Sequence, residues 1–250
     1  MTAQAIPIIN DTYLDINGLQ MVWISTTVVH IENGTARDST NTNDISVSNA
    51  ANGYVTLTST VSGVGGLDTG SIAANTLYYV FAIGSSLGQA SGAALFSLSA
   101  TAPVLPYNYD MFRRIGAVLT DGSNHFLEFQ QTGNYNSSVR RMWYDAGIQV
   151  LNAGASGTFA EVALASYMPS YSYGTSVLLN AVLTPTGNGN TATIQPNGAT
   201  SSSGYIVIGG SQASVAMNVP VEVPCDSGSN IAYKVTGTLT LNLRAYDDQL

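Results

Sequence analysis

Gly66-Leu-Asp-Thr-Gly-Ser-Ile-Ala-Ala-Asn-Thr-Leu-Tyr-Tyr-Val-Phe-Ala-Ile-Gly84 is the stretch that decides the fold. From Tyr78 to Ile83 it is aromatic and β-branched, and it ends at a glycine, which is how a strand reads. The same pattern continues outward. Tyr54-Val-Thr-Leu-Thr-Ser-Thr-Val61 is a second strand that stops at Ser62-Gly63. Ile115 to Leu119 and Phe126 to Phe129 flank Thr120-Asp-Gly-Ser-Asn124, a hairpin signature. Upstream, Thr12 to Val29 alternates around Asn17-Gly18, which is expected to turn a hairpin because Asn-Gly accepts positive φ at both central positions. Ile31 starts a further strand, broken at Asn33-Gly34.

The second half has the same rhythm. Arg141 to Tyr144 and Ile148 to Leu151 form an expected strand pair. They are followed by Phe159–Leu164, Ser176–Leu183, Ala192–Gln195, Tyr205–Ile208, Ser214–Val223, Asn230–Val235 and Thr238–Ala245. Turn residues separate them, and Pro169, Pro185, Pro196, Pro220 and Pro224 belong in loops or on sheet edges. Helical character is confined to short turns near Ala160–Tyr167 and Asp110–Arg113. The polar run Gln130 to Ser138 is the expected boundary between two domains, 1–135 and 136–250. The chain is therefore expected to be all-β, with two β-sandwich or jelly-roll-like domains and little or no helix. No internal repeat or heptad pattern is visible, which argues against a propeller, a solenoid or a coiled coil.

Only 9% of the residues are charged, against roughly 25% in an average soluble domain. Hydrophobic residues make up 45%, so this is a folding sequence and not a disordered one. The formal net charge of −8 opposes nucleic-acid binding, which needs clustered positive charge. The only basic pairs, Arg113-Arg114 and Arg140-Arg141, read as surface or interface residues. Cys225 is the single cysteine, so no intrachain disulfide forms, and it reads as a buried structural thiol. No apolar run is long enough for a transmembrane helix. Met1 to Pro7 has neither a basic nor an apolar region, so no signal peptide is expected.

Several short motifs touch on chemistry. Leu67-Asp68-Thr69-Gly70 matches the aspartic-protease fingerprint, but that mechanism needs two aspartates sharing a proton. Gly84-Ser-Ser86-Leu-Gly88 matches a nucleophile elbow, and Asp110 or Asp121 with His125 would complete a triad order. No alternating strand–helix pattern surrounds it, so a hairpin loop is expected instead. His30-Ile-Glu32 and His125-Phe-Leu-Glu128 are the only His/acid pairs, a thin supply for a metal. Strand alternation places His30 and Glu32 on one face as a surface pair. Asn10-Asp-Thr12, Asn33-Gly-Thr35 and Asn136-Ser-Ser138 match a glycosylation sequon that this composition yields by chance. No catalytic residue, metal or cofactor is assigned. The one candidate binding cluster is Tyr167, Tyr171 and Tyr173, read as a glycan-stacking platform against the alternative of a packing loop.

Ordered segments from about residue 30 to 130 resemble those of tailed-bacteriophage fibre and virion-surface proteins. They are Asn33-Gly-Thr-Ala-Arg-Asp-Ser-Thr40 with Asp44-Ile-Ser-Val47, then Gly65 to Thr76, Ser99-Ala-Thr-Ala-Pro-Val-Leu-Pro106, Arg113-Arg-Ile-Gly116 and Leu119-Thr-Asp-Gly-Ser123. Val162 to Pro169 and Val219 to Tyr246 look like the β-sandwich found beside such segments. The resemblance implies a non-enzymatic virion component of the tail-fibre, head-fibre or capsid-decoration type. It also implies a homotrimer whose partners are other virion proteins, with host-surface glycan as the alternative ligand. Neither nucleic-acid binding nor membrane insertion is implied. The chain departs from a long receptor-binding fibre in having no β-helical shaft. The N-terminal strands, Ile6 to Val29, are the expected docking segment.

Overall fold

The computed structural model describes residues 16–133, 138–171, 174–200, 206–210 and 212–250. It is all-β, with no helix among the described residues. Nine strands precede the polar run at 130–138 and a tenth extends into it: β1 (Ile16–Gly18), β2 (Met21–Ser25), β3 (Val28–Glu32), β4 (Gly34–Arg37), β5 (Asp44–Val47), β6 (Tyr54–Thr58), β7 (Leu77–Gly84), β8 (Ala93–Ser97), β9 (Met111–Leu119) and β10 (Phe129–Thr132). Eight follow it: β11 (Val139–Gly154), β12 (Ala160–Ala163), β13 (Ser176–Thr184), β14 (Thr191–Pro196), β15 (Ile206–Gly209), β16 (Met217–Pro224), β17 (Asn230–Val235) and β18 (Thr238–Gln249).

The main sheet has eight strands in the order β16-β13-β18-β11-β10-β2-β3-β6. It runs through the expected boundary at 135/136, because β10 and β11 pair with one another across it, Phe129 opposite Tyr144 and Thr132 opposite Arg141. The two halves thus share one sheet and one hydrophobic cluster. In the second half, the four-stranded sheet β12-β17-β14-β15 supplies the other layer of a sandwich. Strand β13 shows why: Val177, Leu179, Ala181 and Leu183 are fully buried while the residues between them are not, the period-2 signature of one covered face. They pack with Leu239, Leu241 and Leu243 of β18 and with Ile194, Ile231 and Val235 of the facing sheet. Each fully buried Val, Leu or Ile contributes roughly 1.5–3 kcal/mol.

Strand β7 lies in the sheet β8-β7-β9 and is covered on both sides, which is why it reads as a nearly continuous apolar run. Tyr78, Val80 and Ala82 enter the main core. Phe81 and Ile83 face the other way and, with Leu95, are covered by Leu105, Tyr109 and Phe112.

Four expectations change. Asn17-Gly18 does not turn a β1–β2 hairpin. Instead β1 pairs with β4 and β2 with β3, and the two-stranded ribbon bends as it passes from the sheet β1-β4-β5 into the main sheet. At the bend Gly18 has φ 69° and faces Gly34. A Cβ on Gly18 would fall 2.3 Å from the Asn33 carbonyl oxygen, and one on Gly34 would fall 2.2 Å from that of Asn17, so only glycine fits at either position. Ala160–Ala163 is a strand and Met111 opens β9, so neither expected helical turn becomes a helix; only residues 164–168 turn back on themselves. Residues 141–151 lie within one long strand, interrupted by bulges. Finally, Arg140 is not a surface residue. It is 3% exposed and donates to the carbonyl oxygens of Leu19 (3.0 Å) and Gly18, satisfying acceptors that the bend would otherwise leave buried and unpaired.

Candidate functional site

The catalytic motifs are taken apart by the topology. Leu77 pairs with Leu119 and Gly84 with Met111, so Ser86 lies beyond one end of β7 while Asp121 and His125 lie beyond the other. Seven residues of strand at about 3.3 Å each put roughly 23 Å between them. Ser86 is instead held by Asp110, which accepts from both its backbone N–H (2.7 Å) and its hydroxyl, and these bonds lower the Asp110 pKa. Asp68 is a turn staple: its Oδ1 accepts from Thr69 N and its Oδ2 from Val104 N (2.7 and 2.9 Å). Asp121 likewise ties its own hairpin through the backbone N–H groups of Ser123 and His125. His30 stacks on Tyr54 with centroids 3.7 Å apart and planes 13° apart, and burial lowers its pKa. Asn33 bonds Asn49 through both side-chain atoms, while the sequons at Asn10 and Asn136 lie outside the described residues. Cys225 is buried and free, and burial pushes its thiol pKa up to about 12, which is the inert behaviour expected of it. Among the described residues no group of three or more metal-ligating side chains converges.

The tyrosine cluster divides. Tyr173 lies outside the described residues. Tyr171 is 8% exposed, and its hydroxyl donates to Asp248 Oδ1 at 2.5 Å, so its ring is packing and not an open stacking face. Burial, reinforced by the Asp248 charge, raises the Tyr171 pKa. Tyr167 is half-buried, and its carbonyl accepts from the Tyr144 hydroxyl at 2.8 Å. It lines a cavity of about 380 Å³ together with Ile148, Glu128 and Asp145.

That cavity adjoins a larger groove of about 730 Å³ across β2, β10 and β11 on the main sheet. Glu128, Tyr144 and Asp145 line both. The register builds the groove floor: Val22, Gln130 and Trp143 are directly opposed across the three strands, and alternation places them on the same, outer face. Asp145 N donates to the Glu128 carbonyl oxygen at 3.1 Å, so the two carboxylates are cross-strand neighbours at the groove's edge. Trp143 is fixed in place. Its Nε1 donates to Thr132 Oγ1 (3.2 Å), and the Arg141 guanidinium lies 6.0 Å from its ring centroid, itself locked to Asp247 (2.7 and 3.0 Å) and Glu222 (2.6 Å). These bonds hold the Arg141 pKa above its ordinary value.

The sheet is irregular at this place. The β11–β18 register shifts between Trp143 and Ile148, and β18 carries a second irregularity against β13 between residues 243 and 245. Arg244 is the extra residue, and it points into the groove across Gly147, where a Cβ would meet its Cδ at 2.8 Å. Re-aiming a side chain is a recognised use of β-bulges. The groove therefore combines a held indole, side-chain amides, two carboxylates and a guanidinium on a rigid floor, a set suited to a ligand with many hydroxyl groups. The sequence places Val22, Gln130 and Trp143 in separate segments and gives no sign that they form one groove floor. Only the β2–β10–β11 register brings them together, and the sole local hint, the uneven alternation after Trp143, reads as a strand break.

The chain matches no protein-family model, and no curated protein matches it.

Proposed function

We propose that this chain is a structural component of a bacteriophage virion, of the short-fibre, head-fibre, decoration or tail-fibre type, acting through protein–protein interfaces. The observation that carries the reading is a set of large apolar side chains open to solvent on the loops around β7–β9. Leu87 is 76% exposed, Leu98 60%, Val104 57% and Tyr107 92%. These loops are connected: Val104 is tied to Asp68, and Ser86, next to Leu87, is tied to Asp110, near Tyr107. Exposed apolar surface beside so few charges marks an interaction surface. The segments that resemble fibre proteins, residues 30–130, include it. Closed symmetry, with a homotrimer as the expected form, would cover it without leaving open edges.

Light scattering tests the reading against a chain mass of 26.0 kDa. A trimeric mass and detection of the chain in purified particles are the expected results. A monomer that is absent from particles would sink the reading. The docking segment needs redefinition, because Ile16, Leu19, Met21 and Val29 are core residues at most 1% exposed. Removing residues 1–30 would unfold the protein, so incorporation is to be tested by removing residues 1–15 alone.

A second reading, host-surface glycan binding, is favoured by one specific observation: the indole-bearing groove on the outer face of the main sheet. Screening the intact protein on a glycan array tests it, and no bound glycan would end it.

A further inference from the structure

We infer that the groove over β2, β10 and β11 is the binding site for a neutral oligosaccharide, with Trp143 as its stacking anchor. The inference rests on the glycan-binding reading and makes it specific.

The groove is open and runs on into the cavity lined by Tyr167, so it suits an extended ligand. Its polar groups are of both kinds. Glu128 and Asp145 accept hydrogen bonds, Arg244 donates, and Gln130 does both. A run of sugar hydroxyls offers donors and acceptors to all of them, and a pyranose face offers apolar surface to the indole. An apolar ligand would leave those groups desolvated and unpaired. A polyanion meets two carboxylates against one guanidinium, in a chain of net charge −8. A peptide has no strand edge to extend, since β2, β10 and β11 each have neighbours on both sides in the sheet. The site is also rigid. Trp143 is fixed by Thr132 and Arg141, and Arg244 is seated over Gly147 by paired irregularities in adjacent strands. A site pre-formed on strands loses little freedom on binding.

Of the chain's two tryptophans, Trp143 stands on the groove floor, while Trp23 alternates to the core side, opposite Val29, where its Nε1 donates to the Phe126 carbonyl oxygen at 3.3 Å. Tryptophan emission of the intact protein, excited where tyrosine does not absorb, therefore carries the signal of this site through Trp143, and the Trp143→Ala variant gives the Trp23 background to subtract. Any glycan retained on the array, together with chitotetraose and maltotetraose as neutral probes and dextran sulfate as a polyanion, is titrated to roughly 10 mM. A saturable change with a neutral sugar and none with dextran sulfate is the expected result. Trp143→Ala should weaken binding by about tenfold or more. Glu128→Gln, at an exposed position that leaves the fold intact, should weaken it several-fold, and melting curves establish that both variants are folded. Glycan binding that survives Trp143→Ala at unchanged affinity, or that leaves tryptophan emission unaltered, would overturn the assignment to this groove while leaving the glycan reading standing. Failure of every glycan on the array would overturn both.

Discussion

Arg114 of β9 and Asp248 of β18 meet at 2.7 Å although 134 residues separate them in the chain. Asp248 is fully buried, and its Oδ1 also accepts from Tyr171. The Arg114 guanidinium lies 5.7 Å from the Tyr171 ring centroid and donates to the Gln249 carbonyl oxygen as well. Burial works against the Arg114 cation, but the Asp248 carboxylate more than offsets it, so the pKa is held above its ordinary value. A first-half strand is thus bolted to the final strand by a desolvated ion pair.

Breaking that pair leaves a buried charge without its partner. Asp248→Ala is expected to cost about 3–5 kcal/mol, measured by urea unfolding. The double variant Arg114→Met/Asp248→Leu should cost clearly less than the two single changes added together, because neither charge is then stranded. Additive losses would show that the pair is not coupled.

Tyr171→Phe removes one hydrogen bond to a buried carboxylate. A loss of about 1.5–3 kcal/mol in stability is expected, with glycan affinity unchanged. The converse result, normal stability with lost affinity, would restore Tyr171 to the binding site.

Gly18→Ala should destabilise by more than about 2 kcal/mol, since the new Cβ meets Asn33 O at 2.3 Å and φ is positive. Gly189→Ala is the control, with similar φ and open space around it, and should cost only about 1 kcal/mol. Thermal melts of the two variants side by side check the difference.

Burial raises the phenol pKa of Tyr144 and Tyr246, and burial together with the Asp248 charge raises that of Tyr171, all from the ordinary 10.0. Below that value the three are neutral in both the folded and the unfolded chain. Above it only the unfolded phenols ionise, so the unfolded state has released more protons and stability falls as pH rises. Phenolate absorbance should show these three titrating together with unfolding, above the ordinary 10.0. Ionisation of Tyr144, Tyr171 and Tyr246 near pH 10 in a chain that stays folded would contradict this.

Much of the architecture is legible in the sequence because strand burial is a local, period-2 signal. Ser176–Leu183 and Asn230–Val235 become β13 and β17 almost residue for residue. What escapes is long-range. Arg140 looks like a surface charge because nothing nearby reveals that the Gly18 and Leu19 carbonyl oxygens need a donor. The polar run at 130–138 looks like a linker, yet its first three residues belong to β10 and pair with β11, the strand that follows it, in one sheet. Ser86, Asp110 and His125 have a catalytic order in the sequence, and the length of β7 keeps Ser86 and His125 apart. The groove is the least legible of all, since it depends on register and on bulges, which short strand patterns do not encode.

The position of β18 between β13 and β11 has a consequence for biosynthesis. β18, which leaves the ribosome after both β11 and β13, is an interior plank of the main sheet. Until it arrives, β11 and β13 each expose an unpaired edge, and Arg114 waits without its counter-ion. Such unfinished edges invite pairing with another nascent chain. Where several copies are made from one message, this waiting period is the interval in which a chaperone, or a neighbouring subunit, would have most to do.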